Sequence, residues 1–423
     1  MSNDVRSKQF LKLFRNSDGV YESMIQRVYR QIREADPEAE VTLAASKAQL
    51  SSVFNQLNDQ VKVCVEPCRR DTFPAIALSA AFLHDMGGAS SEEAIVICPV
   101  DPYVDDAYFD LFHLMESLAL EGKGNLILMG ICPTYPSAKY GYIIPETGED
   151  ITGVKHFREK PDEETAEKYI AEGGLWNGGV FACRIGYILR MAEKLLGTSD
   201  YNALLSGYEN LPSISFDYAV VEKELDISVV RYDGEWKDLG TWNTLTEAMN
   251  ENVVGNVLMN DTCRNLHVIN EMDVPVLCMG LKDMVIAASH NGILVSDKHQ
   301  SSYIRPYVDS LHQDVMYAEK SWGSYRILDI GQESLTVKVI LNPGHRMNYH
   351  SHEYRDEIWN VVSGSGWTIL DGKKNRVRAG DTVNMPIGCK HTIIAETVLE
   401  MVEIQLGKDI CVYDKKKYDF PPV

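Results

Sequence analysis

Hydrophobic positions along this chain follow three spacings in turn, and the changes of spacing divide it. Between residues 19 and 35, Tyr21, Met24, Ile25, Val28, Tyr29 and Ile32 fall on the i, i+3, i+4, i+7 stripe of an amphipathic helix. Further helices are predicted at 46–57 with Ser46 as N-cap, at 75–84 behind Pro74, and at about 105–120. Short apolar runs at 41–45, 61–65, 95–98 and 125–130 read as strands. Ile95 to Cys98 is apolar without alternation, as expected of a strand buried on both faces. This strand–helix alternation predicts an α/β domain with a mostly parallel, Rossmann-like sheet. A charged surface helix is expected at 162–171, a helix start at 215–223, and a tight turn at 236–242 leading into another helix.

From residue 255 to about 298 the spacing changes. Leu266-His-Val-Ile, Val274-Pro-Val-Leu, Met284-Val-Ile-Ala and Gly292-Ile-Leu-Val are short apolar runs separated by Asn, Asp and Gly. Strands at this interval without helices predict a small β-solenoid or sheet connector. Beyond a boundary near 308–316 the pattern is all β, with strands expected at 337–341, 358–362, 368–370, 382–385, 392–395 and 399–405. The expected domains are therefore 1–253, 254–310 and 311–423.

Composition narrows the class. Apolar residues make up 45% and charged residues 24%, as in ordinary globular enzymes. A net charge of −20 argues against nucleic acid or an anionic membrane surface as partner, and requires local cations or a metal for any phosphate-bearing substrate. Nine cysteines without a CxxC pair point to a reducing cytoplasm. No apolar run reaches the roughly 18 residues of a membrane span.

Two places carry candidate chemistry. Asp101 follows the 95–98 strand and Pro99, at the carboxyl end where open α/β sheets bind ligands. A carboxylate there can hold Mg²⁺ against a nucleotide phosphate, or merely cap the turn. The second place reads Gly344-His-Arg-Met-Asn-Tyr-His350-Ser-His352, continues through Glu357, and resumes at Gly380 through Pro386 and Gly388 to His391. Three imidazoles and a carboxylate suit a divalent transition metal such as Zn, Mn, Fe or Co. His350 and His352 alternate, so both side chains point to one face, and Pro386 and Gly388 turn the chain to return His391 to it.

That second pattern resembles the two signature motifs of cupins, small double-sheet β-barrels, with every ligand position filled by His350, His352, Glu357 and His391. It departs only at Ala395, where Asn is usual. More narrowly, Trp322-Gly-Ser-Tyr-Arg326, Lys338 and Arg355-Asp-Glu-Ile-Trp359 resemble the cupin of type II phosphomannose isomerases. Two extra residues precede Arg355, and Ile358 stands where that family has His.

The N-terminal region is similar to bacterial mannose-1-phosphate guanylyltransferases, and the resemblance runs across nearly the whole chain. Lys8-Gln-Phe-Leu-Lys12 resembles the segment after that family's Gly-rich signature, with Lys8 at a phosphate-contacting lysine. Residues Glu66 to Ala75, including Arg70, resemble the base-binding segment, with Asp71 in place of the usual Asn. Asp101 matches the metal-binding Asp, although Pro102 replaces the usual His. Phe157-Arg-Glu-Lys-Pro161 matches the sugar-phosphate loop, Trp176-Asn-Gly-Gly179 a segment usually reading Trp-Asn-Ser-Gly, and Trp236-Lys-Asp238-Leu-Gly240 the second metal ligand. Asp217-Tyr-Ala-Val220 also matches. The family's Gly-rich signature is expected immediately before Ser2 and is not found there. No glycine precedes Gly19, and the first predicted element is a helix where a strand is expected. The expectation is that Met1 is a misassigned start or a truncation boundary, leaving the chain as written inactive, poorly folded or both.

The resemblance implies formation of GDP-mannose and pyrophosphate from GTP and mannose 1-phosphate with Mg²⁺. It assigns Lys8, Asp101, Lys160 and Asp238 to catalysis, with Asp101 and Asp238 holding Mg²⁺. Glu66, Arg70, Gly141, Tyr142, Glu159, Asn177 and Gly178, with Arg355 in the cupin, are assigned to substrate binding. The cupin would add isomerisation of mannose 6-phosphate. The alternatives are a non-catalytic sugar-phosphate or nucleotide-binding protein, and a sugar-1-phosphate nucleotidyltransferase of other base or sugar specificity. A homodimer is expected to be possible.

Overall fold

The structure is a computed structural model that describes residues 8–311, 315–408, 410 and 414–421. The expected boundary at Met1 lies outside the described residues. The chain divides into two compact units, Gln9–Lys47 with Asp59–Asn250, and Met1–Lys8 with Ala48–Asn58 and Glu251–Val423.

The first unit is built on a six-stranded sheet. Its order is Ala94–Ile97, Leu175–Arg184, Leu126–Ile131, Ile227–Tyr232, Ile151–Arg158 and Tyr142–Pro145. Leu126–Ile131 is buried at every position, as a central strand covered on both faces must be. The expectation of a mostly parallel sheet is corrected here. Only Leu126–Ile131 and Ile227–Tyr232 run parallel, and the other pairings are antiparallel. The physical reason is the stretch from 142 to 184. Tyr142–Pro145 and Ile151–Arg158 form a hairpin, and Leu175–Arg184, entered from helix Glu163–Ala171, runs antiparallel to its neighbours on both sides. A separate parallel pair, Thr42–Ser46 with Lys62–Glu66, precedes it.

Helix Thr72–Asp85 packs against this unit's main core through Phe73, Ala77 and Ala80. It starts earlier than the Pro74 signal predicts, because Asp71 caps it from a positive φ of 67°. Helix Met24–Ala35 likewise begins later than residue 19, where Ser23 and Gln26 form a capping box. Ser46 is not an N-cap. It ends the strand Thr42–Ser46, and the next helix runs Leu50–Leu57.

The second unit holds the connector and an all-β barrel. In the connector Val253–Val254, His267–Asn270 and Met284–Ser289 stack in parallel, as do Val257–Met259 and Val276–Cys278. This is the expected solenoid, closed by the hairpin Met284–Ser289 to Gly292–Asp297 around Leu266, Val268, Cys278 and Ile286. The barrel has two antiparallel sheets. One runs Tyr317–Lys320, Gly323–Ile330, Ser334–Leu341, Leu399–Gly407, Arg355–Ser363 and Thr382–Met385. The other runs Lys373–Arg378, Ser365–Leu370, His391–Ala395, His350–Ser351 and Lys416–Lys417. Val337, Val339, Trp359, Ile393, Leu399 and Met401 form part of its apolar core. Arg326 ties barrel to connector through His290 at 2.7 Å and Asp273 at 2.8 Å. No helix among the described residues is long and apolar enough to cross a membrane.

Candidate functional site

In the first unit the polar groups gather at strand ends. Asp101 follows the Ala94–Ile97 strand and directly precedes Pro102–Val104. That short strand pairs antiparallel with Trp236–Asp238, so Asp238 stands opposite Pro102. The structure therefore brings Asp101 and Asp238 to one ladder end, although 137 positions separate them in sequence (238 − 101). Two half-buried carboxylates offer the hard oxygen donors that Mg²⁺ prefers. Trp236, two residues before Asp238, packs edge-on to Tyr140 at 5.3 Å and lies 6.0 Å from Trp176. This aromatic cluster links the carboxylate ladder to the strand carrying Asn177.

Asn177 sits at a bulge in Leu175–Arg184, where the register shifts before Phe181. Gly179, at φ 72°, supplies the left-handed backbone of that bulge. Asn177 Oδ1 accepts from the Gly179 N–H at 3.1 Å, its Nδ2 donates to Asp217 Oδ1 at 2.6 Å, and its N–H donates to the Gly141 carbonyl at 2.8 Å. Gly178 beside it closes against Ile131. A Cβ at Gly141 would come within 2.5 Å of Glu159 Oε2 and 2.7 Å of Phe157, so any other residue there requires those side chains to shift. Lys160, at φ 46°, reaches Glu159 Oε1 at 2.8 Å, and this pair raises the lysine's pKa. Strain of that kind in a non-glycine residue persists only where the surroundings fix it.

The Tyr142 side chain is fully buried, and its hydroxyl accepts from Trp176 Nε1 and the Ser137 N–H, both at 3.0 Å. These bonds tie the Tyr142 hydroxyl to the Ser137 turn and to the strand carrying Trp176. Glu66 accepts from the Tyr208 hydroxyl at 2.9 Å, and burial raises its pKa. Arg70 donates to the carbonyls of Tyr208 and Glu209, so its guanidinium braces the 208–209 turn. Lys8 opens the short turn Lys8–Phe10 and clusters with the other unit.

The sequence gives Asp217 no role of its own, although the motif around it matches. Burial first, and Glu159 next, push its carboxyl up to about 6 against the pull of Asn177 and Lys160. Glu222 Oε1 accepts from the Glu159 N–H at 3.0 Å. The signal for both was a pair of carboxyl groups beside apolar residues of a short capped helix.

In the barrel, His350, His352, Glu357 and His391 place one ligand atom each within 4.8 Å of one another, all buried. Each imidazole is oriented through Nδ1 to a backbone carbonyl: His350 to Asn348 at 2.6 Å, His391 to Cys389 at 3.0 Å, and His352 to Asp414. That leaves Nε2 of His352 and His391 facing the Glu357 oxygens at 2.9 and 3.1 Å. A ring that donates through Nδ1 can face a carboxylate through Nε2 only as imidazolium or across a cation. Burial drives the His350 pKa down to about 2, so this ring is neutral. A divalent cation fits such a donor set, and the carbonyl contacts are the outer support that fixes ligating rings. Arg355, 7% exposed, donates to Glu357 Oε1 at 3.2 Å and lies 3.4 Å from His352 Nε2.

Strand Leu399–Gly407 adds two polar groups to which the sequence assigns no role. Its buried positions run Leu399, Met401, Glu403, Gln405. Glu403 accepts from Trp359 Nε1 at 3.1 Å. Carboxyl and amide groups at core parity were the available signal.

Comparison with known proteins assigns a family to each of the two regions. The Nucleotidyl transferase family matches residues 2–253, and the Mannose-6-phosphate isomerase C-terminal family matches residues 308–419. Mannose-1-phosphate guanylyltransferase 2 of Escherichia coli O157:H7 is 28% identical over 414 residues, covering 86% of this chain and 84% of the relative. Mannose-1-phosphate guanylyltransferase of Klebsiella pneumoniae is 28% identical over 465 residues, covering 99% and 96%. A crystal structure described as mannose-1-phosphate geranyltransferase from Thermus thermophilus superposes with a TM-score of 0.61 at 29% identity, covering 73% of this chain and 93% of that one. With more than half its length matched by that first family, the chain belongs to the nucleotidyl transferases.

Proposed function

We propose that the chain is a mannose-1-phosphate guanylyltransferase, forming GDP-mannose and pyrophosphate from GTP and mannose 1-phosphate. The observation that carries this reading is the pairing of Trp236–Asp238 with Pro102–Val104, which sets two distant carboxylates at one strand end. The phosphate oxygen of the sugar phosphate attacks the α-phosphorus of GTP as the bond to pyrophosphate breaks. That step is chiefly positioning and charge neutralisation, and the attacking phosphate, already anionic, needs no general base. Mg²⁺ held by Asp101 and Asp238 would neutralise phosphate charge. Lys160 fixes the sugar phosphate and Lys8 the nucleotide. Asn177, oriented from three sides, hydrogen-bonds the sugar, with Gly141, Gly178 and Glu159 shaping the pocket. Glu66 and Arg70 set the segment taken for base binding, and residues 1–253 are taken as the transferase domain.

A second activity is inferred for the barrel, on the strength of its buried His₃Glu centre. It interconverts mannose 6-phosphate and the matching 2-ketose phosphate, with a divalent transition metal in the site and Arg355 beside it. The test is pyrophosphate release from GTP, Mg²⁺ and mannose 1-phosphate, run beside a coupled assay for ketose phosphate from mannose 6-phosphate. Sugar-dependent pyrophosphate release is the expected result. Tight GDP-mannose binding without turnover would replace the first reading with that of a binding protein.

A further inference from the structure

The buried stripe of helix Met24–Ala35 has a polar break. Met24, Ile25 and Val28 are buried on it, and so is Gln31, only 2% exposed. An amide at a core position is destabilising unless it is hydrogen-bonded, so its partners show what it is for. Gln31 Nε2 donates to Asp106 Oδ1 at 2.7 Å and to the Val104 carbonyl at 3.4 Å. One turn earlier, Arg27 Nη2 donates to the same carbonyl at 3.1 Å. Its guanidinium lies over the Tyr103 ring, 4.5 Å from the centroid, with Glu22 Oε1 3.7 Å from Nη1. One helix face thus grips residues 103, 104 and 106 with two side chains.

That grip falls on the short strand directly after Asp101. Pro102–Val104 pairs with Trp236–Asp238, setting Val104 opposite Trp236 and Pro102 opposite Asp238. Pro102 brings no N–H to this ladder. A two-stranded ladder of three residues, short of one donor, is marginal by itself. The compensating contacts lie at the Val104 end. Asp105 accepts from the Tyr232 hydroxyl at 2.8 Å and from the Glu235 N–H at 3.1 Å, which ties the turn after one strand to the turn before the other. Arg27 and Gln31 hold the same end from the helix side. Helix and turn together brace the ladder whose far end carries the two carboxylates.

We propose that Arg27 and Gln31 are positioning residues for nucleotidyl transfer: by fixing the Val104 carbonyl they set the placement of Asp101 and Asp238 at which Mg²⁺ is held. The proposal rests on the reading of those two carboxylates as the Mg²⁺ site. Both side chains act through the backbone of the strand between them and Asp101. Truncating either one strands no buried charge. Glu22 keeps Arg30, at 2.9 and 3.1 Å, and Asp106 is exposed to water. The competing role is plain support of the fold, which would lower stability without singling out the metal.

The test is calorimetric titration of the full chain with GDP-mannose, with Mg²⁺ and in Mg²⁺-free buffer. The readout is the gain in affinity that Mg²⁺ brings. Arg27→Met and Gln31→Met keep most of each stem. Each is expected to cut that gain by about tenfold or more, the range for supporting partners of a metal site, and to leave the Mg²⁺-free affinity unchanged. The Mg²⁺ concentration for half-maximal pyrophosphate release should rise in step. Gln31→Met should hold or raise the melting temperature, because it places an apolar group at a core position. Arg27→Lys keeps a donor for the Val104 carbonyl and should restore part of the gain. Asp101→Asn and Asp238→Asn are the controls, and each should abolish it. Where they do, a wild-type gain in Arg27→Met and Gln31→Met overturns the proposal alone. No gain in the wild type, or an undiminished one in Asp101→Asn and Asp238→Asn, overturns the Mg²⁺ reading and the proposal with it. Equal loss of affinity with and without Mg²⁺ assigns Arg27 and Gln31 to the fold and also overturns the proposal.

Discussion

The barrel centre and the transferase site use the same residue types in opposite ways. The barrel draws its ligands from one stretch between His350 and His391, buries all four, and orients every ring through a backbone carbonyl. The transferase site, Lys8 apart, collects side chains from Glu66 to Asp238, leaves Lys160 exposed, and holds its groups by pairwise polar contacts. A buried cluster of lone pairs around a carboxylate needs its cation for the fold itself to be comfortable. An open set of strand-end charges is stable enough alone and shows its purpose only when a phosphate arrives. Loss of a group should therefore register as metal affinity and stability in the barrel, and as rate in the transferase unit.

The sharpest way to break this contrast is to remove a ligand. Glu357→Gln should reduce bound transition metal by more than about 100-fold in affinity, beyond what loss of a supporting partner costs, and should lower the barrel's melting temperature. Metal analysis after dialysis against a weak chelator checks it. Unchanged metal affinity would mean that the three imidazoles hold the ion without Glu357.

Next in size, Asp101→Asn and Asp238→Asn should each slow pyrophosphate release by about 10²-fold or more, the scale of a lost charge-stabilising group. Thermal stability should move by under about 1 kcal/mol, because both carboxylates are only half-buried. A large stability loss with little rate loss would place them as structural caps.

A smaller effect probes the packing behind the site. Gly141→Ala puts a methyl within 2.5 Å of Glu159 Oε2 and 2.7 Å of Phe157. Relief requires displacing Glu159, and with it the Lys160 contact and the carbonyl that takes the Asn177 N–H. The cost should be about 1–3 kcal/mol in stability, with a rise in KM for mannose 1-phosphate larger than the fall in kcat. Steady-state kinetics at fixed GTP separate the two.

How much of this was legible in the sequence differs between the two regions for the same reason. The six barrel strands read from the sequence fell within a few residues of expectation, and Thr382–Met385 matched at both ends, because antiparallel strands with one buried face announce themselves by alternation, whereas Gly323–Ile330 and the largely exposed Lys373–Arg378 were not expected. Its ligands were readable because they are close in sequence. Glu403 and Gln405 were not, since a single strand does not say which polar residue at core parity meets a distant metal centre. In the transferase unit most helices were found, Ile185–Leu196 and Tyr201–Gly207 being missed, but the sheet's direction was not. A run such as Ile95 to Cys98 carries no mark of which way its neighbour points, and its actual neighbour, Leu175–Arg184, is antiparallel. Tyr142 and Arg70 illustrate a further limit. The resemblance assigns both to substrate binding, but the sequence does not show the protein partners they already have, Trp176 and Ser137 for Tyr142 and two backbone carbonyls for Arg70.

The finest test of the contrast is Asp217, a transferase group that behaves like a barrel residue. Burial and the nearby Glu159 raise its carboxyl from 3.8 to about 6. A carboxyl harder to ionise in the folded chain than in the unfolded one makes the folded state bind more protons between about pH 4 and 6. Stability should therefore fall as the pH rises from 4 toward 6, and the full penalty is present above 6. Asp217→Asn keeps an oxygen for Asn177 Nδ2 but cannot ionise. It should stabilise the unit at pH 7 by about 1–2 kcal/mol, below the full worth of the shift because the group is only partly buried, and should remove this component of the pH slope. The difference between the wild-type and variant melting curves from pH 4 to 7 isolates the effect from every other carboxylate. Parallel curves would mean that Asp217 ionises normally and that Asn177 is held by its two backbone contacts alone. A converging pair, meeting near pH 4, would show that the open site also stores electrostatic tension, in one carboxylate set against Glu159 beside the lysine meant for phosphate.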